Sequence, residues 1–246
     1  MKTEYQNWQV WGKTPEVEGT LTQRAKGELP EMESTKQLVN LLKEVYRPGM
    51  CVLDAGCNVG HYYQGLKRLD PAIQYTGVDA YRSYIDQAKK IYQNEKNATF
   101  KIWDVMTPPS FPEPFDIVYC CNVILHLPFF KTPVKHLLEA SKRYVFIRTL
   151  IGEHTTMVRR SYDNVFDDAG NPLNFVYQNT YQQSFFTDYI QQFGYKVEMI
   201  DDQFNSEILD QEHSHLKKGH GTRIFGGRQV DANIIFNWKF IKITKS

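Results

Sequence analysis

Short apolar runs rich in β-branched residues alternate along the chain with stretches whose apolar positions recur at helical spacing. That alternation predicts a parallel sheet wrapped by helices. The first strand is expected at "MCVLDAG", reached through "RPG". A helix over "GHYYQGLKRLD" and a second strand over "IQYTGVDA" follow. "RSYIDQAKKIYQ" then places Ile85, Ala88 and Ile91 or Tyr92 on one helical face, ahead of a third strand at "ATFKIWDV". The proline-rich "TPPSFPEP" stops regular structure before a fourth strand, "FDIVYCCNV". A helix over "KTPVKHLLEASK" and a fifth strand, "RYVFIRTLI", complete the alternation. Upstream, "MESTKQLVNLLKEVY" offers Ser34 or Thr35 as a helix cap and Leu38, Leu41, Leu42 and Val45 as its apolar face.

Beyond residue 151 the pattern changes. Residues 152–183 are polar and aromatic with "DDAGNP" inside, and read as an insertion over one end of the sheet. "SFFTDYIQQFG" reads as a helix ending on Gly194, and "YKVEMIDD" as a sixth strand. Residues 203–229 read as loop, and the alternating "NIIFNWKFIKI" reads as the final strand. The expected organisation is one domain over 1–246. It comprises an N-terminal lid and helix (1–47), a cofactor-binding half (48–151), an insertion on the substrate side (152–183) and a C-terminal helix and strand hairpin (184–246).

Composition narrows the partners. With 246 residues, 41% of them hydrophobic, one sizeable core is expected. The net charge of +1 gives no broad electrostatic case for nucleic acid or an anionic membrane. No apolar run approaches a membrane span, and the N-terminal segment lacks a signal-peptide pattern, so a cytoplasmic protein is expected. Cys51, Cys57, Cys120 and Cys121 sit in or beside apolar runs without zinc-type spacing and read as small buried hydrophobes.

The chemistry concentrates in "CVLDAGCNVGHYY", residues 51–63. Gly56 and Gly60 permit positive φ and let backbone approach a ligand, and Asn58 tolerates the left-handed region. The spacing is D-x-G-x-x-x-G rather than the G-x-G-x-x-G of a dinucleotide loop. Asp54 stands where it would repel a diphosphate and attract an ammonium or sulfonium group. Asp79, about twenty residues past the loop, occupies a position from which a carboxylate can accept ribose hydroxyls.

In these residues the chain resembles the class I S-adenosylmethionine-dependent methyltransferases over roughly residues 45–200. "VLDAGCNVG" is similar to that family's first motif, with Asn58 in place of its middle glycine. "FDIVYCCNVILHLP" is similar to its fourth. The resemblance implies an α/β fold: a seven-stranded, mostly parallel Rossmann-like sheet, helices on both faces, and an antiparallel last strand inserted between the fifth and sixth. It implies S-adenosyl-L-methionine as cofactor. Asp54 would help hold the methionine amino group, Asp79 the ribose and Asp104 the adenine amine. Cys121 and Asn122 would pass beneath the sulfonium. Gly56, Cys57, Asn58, Gly60, Ala80 and Val105 complete the expected cofactor contacts.

Methyl transfer to a hydroxyl needs a base within hydrogen-bond reach, whereas a neutral amine attacks unaided. His126 is the first candidate base, followed by His154 and Glu153. Arg148 points either into the substrate pocket or into an ion pair with a core acid. His213, His215 and His220 fit no familiar metal spacing, so no metal is expected. Tyr62, Tyr63, Tyr81 and Tyr84 flank the expected cofactor, and Trp8 and Trp11 fall in a segment that could close over it. The polar, aromatic insertion leans toward a small, saccharide-like acceptor, with nucleic acid the less expected partner. Two rivals remain: an RNA or protein methyltransferase using a basic groove of Lys217, Lys218, Arg223, Arg159 and Arg160, and a binding module without catalysis. Oligomeric state is not legible.

Overall fold

The computed structural model describes residue 10 and residues 15–204, 223–231 and 234–245. In chain order its elements are α1 (Pro15–Ala25), α2 (Glu33–Val45), β1 (Cys51–Ala55), α3 (Tyr63–Leu69), β2 (Gln74–Asp79), α4 (Arg82–Ile91), β3 (Ala98–Ile102) and β4 (Phe115–Cys121). They continue as a 3-10 turn (Ile124–His126), α5 (Lys131–Glu139), β5 (Ser141–Gly152), β6 (Arg159–Ser161), β7 (Phe175–Tyr177), β8 (Thr180–Gln182), α6 (Gln183–Gln191) and β9 (Lys196–Asp201). The last four strands are β10 (Arg223–Phe225), β11 (Arg228–Asp231), β12 (Ile234–Phe236) and β13 (Trp238–Thr244).

The main sheet runs β3-β2-β1-β4-β5-β13-β9. The first five strands pair in parallel, and β13 enters antiparallel between β5 and β9. This is the expected seven-stranded order with its inverted last strand. One strand was not expected: β8, from the insertion, pairs in parallel with the end of β5, Leu150 opposite Thr180. The period of two sorts side chains to two faces. Val52, Ile117, Tyr119 and Phe146 pack with α2, α3 and α4; Leu53, Val118, Val145 and Ile147 pack with α5 and α6.

Several local expectations are corrected. Ser34 and Thr35 are not caps: α2 starts behind an extended Met32, and Ser34 lies inside the first turn, its hydroxyl 3.0 Å from that of Tyr62. Cys51 is exposed at the start of β1, while the other three cysteines are buried. The end of the 203–229 stretch is not loop, because β10 and β11 form a three-stranded antiparallel sheet with β12. The final strand breaks at Asn237, whose side-chain amide donates to the Ile151 carbonyl at 2.6 Å, so β12 joins the small sheet and β13 the large one.

The insertion folds back on the rim of the main sheet. Its β6–β7 hairpin is followed by Asn179, which donates its backbone N–H to the Leu125 carbonyl and its side-chain amide to that of Leu127. At the other end of the site, α1 docks through the Ala25 carbonyl, which accepts from the Gln64 amide and the Tyr92 hydroxyl.

Candidate functional site

The turn after β1 is held by the protein itself. The backbone N–H groups of Gly56 and Cys57 donate to the Val78 carbonyl, that of Asn58 to Asp79, that of Val59 to the Asn58 side chain, and that of Gly60 to Cys57. A phosphate cradle needs such amides free. Here five consecutive amides are spent internally.

The turn has the expected positive φ at Gly56 (83°), Asn58 (51°) and Gly60 (80°). The space left by the missing Cβ atoms is filled by protein; Gly56 still lines the cavity, but Gly60 does not, which corrects the expectation of close backbone approach at Gly60. A Cβ on Gly56 would overlap the Val123 methyl, and one on Gly60 would lie 2.8 Å from the Phe100 ring. These glycines let Val123, just past β4, and Phe100 of β3 close over the turn.

Beyond the carboxyl ends of β1, β2 and β4 lies a cavity of about 270 Å³, near the lower end of small-ligand sites at about 300–1,000 Å³. Eight of the eleven expected cofactor contacts line it: Gly56, Asn58, Asp79, Ala80, Asp104, Val105, Cys121 and Asn122. Asp79 accepts from the Asn58 N–H at 3.0 Å and the Tyr81 N–H at 2.9 Å. Burial raises its pKa to about 6, with these N–H groups pulling it back. Asp104 accepts from the Met106 N–H at 2.9 Å.

Asp54, Cys57 and Gly60 do not line the cavity. Asp54 shares the strand face of Val52, so it points into the layer beneath α3 and is 2% exposed. There it accepts from the Tyr75 hydroxyl at 2.8 Å. Burial raises its pKa to about 7, although the Tyr75 hydrogen bond favours the carboxylate.

His126 does line the cavity. Its Nδ1 is 2.7 Å from the Tyr177 carbonyl oxygen, which can only accept, so Nδ1 carries the proton and Nε2 is the basic nitrogen of the neutral ring. Burial lowers its pKa to about 4 despite that hydrogen bond, so the ring is neutral near pH 7.

The other three candidate catalytic residues lie elsewhere. Arg148 makes two bonds to Asp202, at 2.7 and 2.8 Å, and a third to the Asn122 side-chain oxygen. Burial works against its charge, but the Asp202 carboxylate outweighs that and raises its pKa. Of the two orientations open for Arg148, the ion pair is the one adopted. Glu153 and His154 are exposed in the bend just past β5 and border no part of this cavity, which corrects their placement as bases beside the cofactor.

Among the expected aromatics, Tyr62, Tyr81 and Tyr84 line the cavity, while Tyr63 is buried in the core. Trp8, Trp11, His213, His215, His220, Lys217 and Lys218 lie outside the described residues. Arg159 stacks on Phe175 and Tyr177, and Arg160 pairs with Asp231. Among the described residues no three His, Cys, Asp or Glu side chains group as a metal would require, and no helix is long and apolar enough to cross a membrane.

Sequence reasoning missed Leu21, Met32, His61, Trp103, Val123 and Leu127 in the lining. His61 had a signal, following directly on Gly60. Leu21 and Met32 had none, because only the docking of α1 and α2 brings them to the cavity.

A mostly parallel sheet of this order with an inverted last strand is the class I, Rossmann-like methyltransferase fold. Residues 52–145 match the family described as a methyltransferase domain. The chain is 30% identical over 92 residues to a tRNA U34 carboxymethyltransferase of Campylobacter concisus, a match spanning 37% of this chain and 30% of that protein. It also resembles the structure of magnesium protoporphyrin IX methyltransferase from Synechocystis PCC 6803 with bound S-adenosylmethionine (TM-score 0.51, 15% identity, 86% of this chain and 79% of that one). An S-adenosylmethionine-dependent methyltransferase from Clostridium acetobutylicum is similar too (TM-score 0.57, 10% identity, 89% and 93%). At these identities the two structures speak to fold alone.

Proposed function

We propose that this chain binds S-adenosyl-L-methionine in the cavity beyond β1, β2 and β4 and transfers its methyl group to a hydroxyl of a small polar, saccharide-like acceptor. An amine is the secondary acceptor group. The observation that carries the cofactor reading is the pairing of a turn whose amides are all used internally with the Asp79 carboxylate beside the cavity. Such a site suits a nucleoside without phosphates. When bound, the cofactor supplies a methyl group on a positively charged sulfur.

The residues present fit that group. Asp79, with lone pairs left after two backbone bonds, can take the ribose hydroxyls. Trp103, Asp104 and Val105 wall one end for the base, and Cys121 and Asn122 form the floor towards β4. The Arg148 bond fixes the Asn122 side chain. His126, neutral and with Nδ1 engaged, can take a hydroxyl proton at Nε2 as the oxygen attacks.

The test has two stages. Calorimetry with S-adenosylhomocysteine should give binding, and the labelled cofactor should then mark a polar, non-polymeric fraction of an extract from cells lacking this protein. Label confined to RNA would support a second reading, favoured by the tRNA-modifying relative. Binding with no labelled product of any kind would support a module without catalysis.

A further inference from the structure

A second, separate pocket of about 430 Å³ opens on the same rim of the main sheet, beyond the carboxyl ends of β5 and β9 and bordered by β11 and β12 of the small sheet. Its size is that of a small-ligand site. We propose that this pocket seats the sugar body of the acceptor, a neutral polyhydroxyl ring, an inference that rests on the function proposed above and deepens it.

The charges around the pocket cancel. Of its three carboxylates, Asp201 pairs with Lys239 and Asp202 with Arg148, which leaves Glu153 balanced by Arg228 across the lining. A ligand of either sign would lose its water and meet as much like charge as opposite charge. A neutral ligand has no such penalty.

The uncharged part of the lining suits a ring that is apolar on its faces and polar at its edge. Phe204, Phe236 and Trp238 supply aromatic surface, the last two with ring centroids 5.5 Å apart and tilted at 58°. Between them stand groups that call for donors. Gln229 is 7% exposed and donates to Asp202 at 3.4 Å, while its side-chain oxygen accepts from no described residue. The Glu153 carboxylate likewise makes no ion pair or hydrogen bond among the described residues, and both are met by hydroxyl groups.

One guanidinium joins this pocket to the cavity proposed for the methyl donor. Asp202 lines the pocket, Asn122 lines the cavity, and Arg148 bonds both. The Trp238 ring that faces the pocket also packs on that guanidinium, 4.1 Å from its centroid. A sugar seated here lies one side chain away from the transferable methyl group.

Saturation-transfer NMR tests the assignment with methyl glycosides of the common neutral hexoses and 6-deoxyhexoses, beside the matching uronic acids and amino sugars. At least one neutral glycoside should bind more tightly than its charged counterparts, with or without saturating S-adenosylhomocysteine. Glu153→Ala and Gln229→Leu should each weaken it by about three- to tenfold. In the unaltered protein the Trp238 indole N–H resonance should move as the glycoside is added, so the proposal does not depend on a variant folding. Absence of binding by every neutral glycoside would overturn the assignment, as would tighter binding of a charged counterpart or a Trp238 resonance that stays put. Displacement by S-adenosylhomocysteine would overturn it too, by placing the sugar in the other cavity. S-adenosylhomocysteine that itself fails to bind would instead overturn the methyl-transfer reading, and with it the sugar's role as acceptor, whatever the glycosides do.

Discussion

Arg148 and Asp202 form a two-pronged ion pair with N···O distances of 2.7 and 2.8 Å, both side chains more than nine-tenths buried. The free guanidinium nitrogen reaches Asn122, on the cavity floor, and the Trp238 ring covers the guanidinium at 4.1 Å. A pair this buried contributes less to net stability than its geometry suggests, because both ions lose water. It also fixes the side chain of Asn122, whose backbone is left-handed (φ 62°) just past β4 and donates its N–H to the Arg148 carbonyl.

Removing one partner should therefore be worse than removing both. Asp202→Ala should cost about 3–5 kcal/mol in urea denaturation, since a buried guanidinium is left unpaired. Arg148→Met with Asp202→Leu should return to within about 2 kcal/mol of the unaltered protein. The double variant should still bind S-adenosylhomocysteine more weakly, because Asn122 is no longer held. Full affinity in that variant would show that Arg148 plays no part in shaping the site.

Asp79→Ala should weaken S-adenosylhomocysteine more than tenfold in calorimetry, through lost charge-assisted hydrogen bonds. The same variant frees the Asn58 N–H, so a lower melting temperature should accompany the weaker binding. Unchanged affinity would show that the ribose lies elsewhere.

His126→Asn keeps a donor for the Tyr177 carbonyl and removes the basic nitrogen. Turnover with the identified acceptor should fall by about 10²–10⁴-fold, with cofactor affinity within a factor of two or so. Turnover that survives the change would assign proton removal to another group.

Gly56→Ala would set a Cβ against the Val123 methyl in a backbone of φ 83°. Destabilisation of about 1–3 kcal/mol is expected, from overpacking and left-handed strain together. Adding Val123→Ala should recover the overpacking part alone. A cycle of the two variants measured by urea denaturation gives the split, and strict additivity would mean the two residues do not interact.

The folded chain binds the Asp54 proton more tightly than the unfolded chain does, because burial lifts its pKa to about 7. Asp54 therefore contributes stability that is complete below about pH 4 and lost as the pH rises through about 7. Asp54→Asn has no such loss. Its stability relative to the unaltered protein should improve by roughly 2–4 kcal/mol between about pH 4 and pH 8 in urea denaturation. A constant difference across that range would mean Asp54 is as readily ionised folded as unfolded.

Most of the sheet was legible because its strands alternate with helices whose apolar faces are continuous. The first and fourth motifs placed Gly56, Asn58, Cys121 and Asn122 at the cavity by adjacency in sequence alone. What was not legible depended on direction or distance. Asp54 stands just before the turn, as expected, but the strand's period of two, continued to its last residues, puts it with Tyr75 and not in the cavity lining. Arg148 finds its acid 54 residues away, across the antiparallel strand, where no spacing rule reaches. The break of the last strand at Asn237 was hidden because apolar alternation persists through both halves.

That break has an effect on how the protein could be retooled. The β6–β7 hairpin reaches the small β10–β12 sheet through Arg160 and Asp231, and reaches His126 through the Tyr177 carbonyl. Among the described residues, neither appendage supplies a side chain to the cavity. On the function proposed above, the collar that would meet an acceptor and the bowl that would grip the methyl donor are thus separate building materials. Lengthening or re-sculpting the collar would change what is methylated while leaving the donor's seat intact.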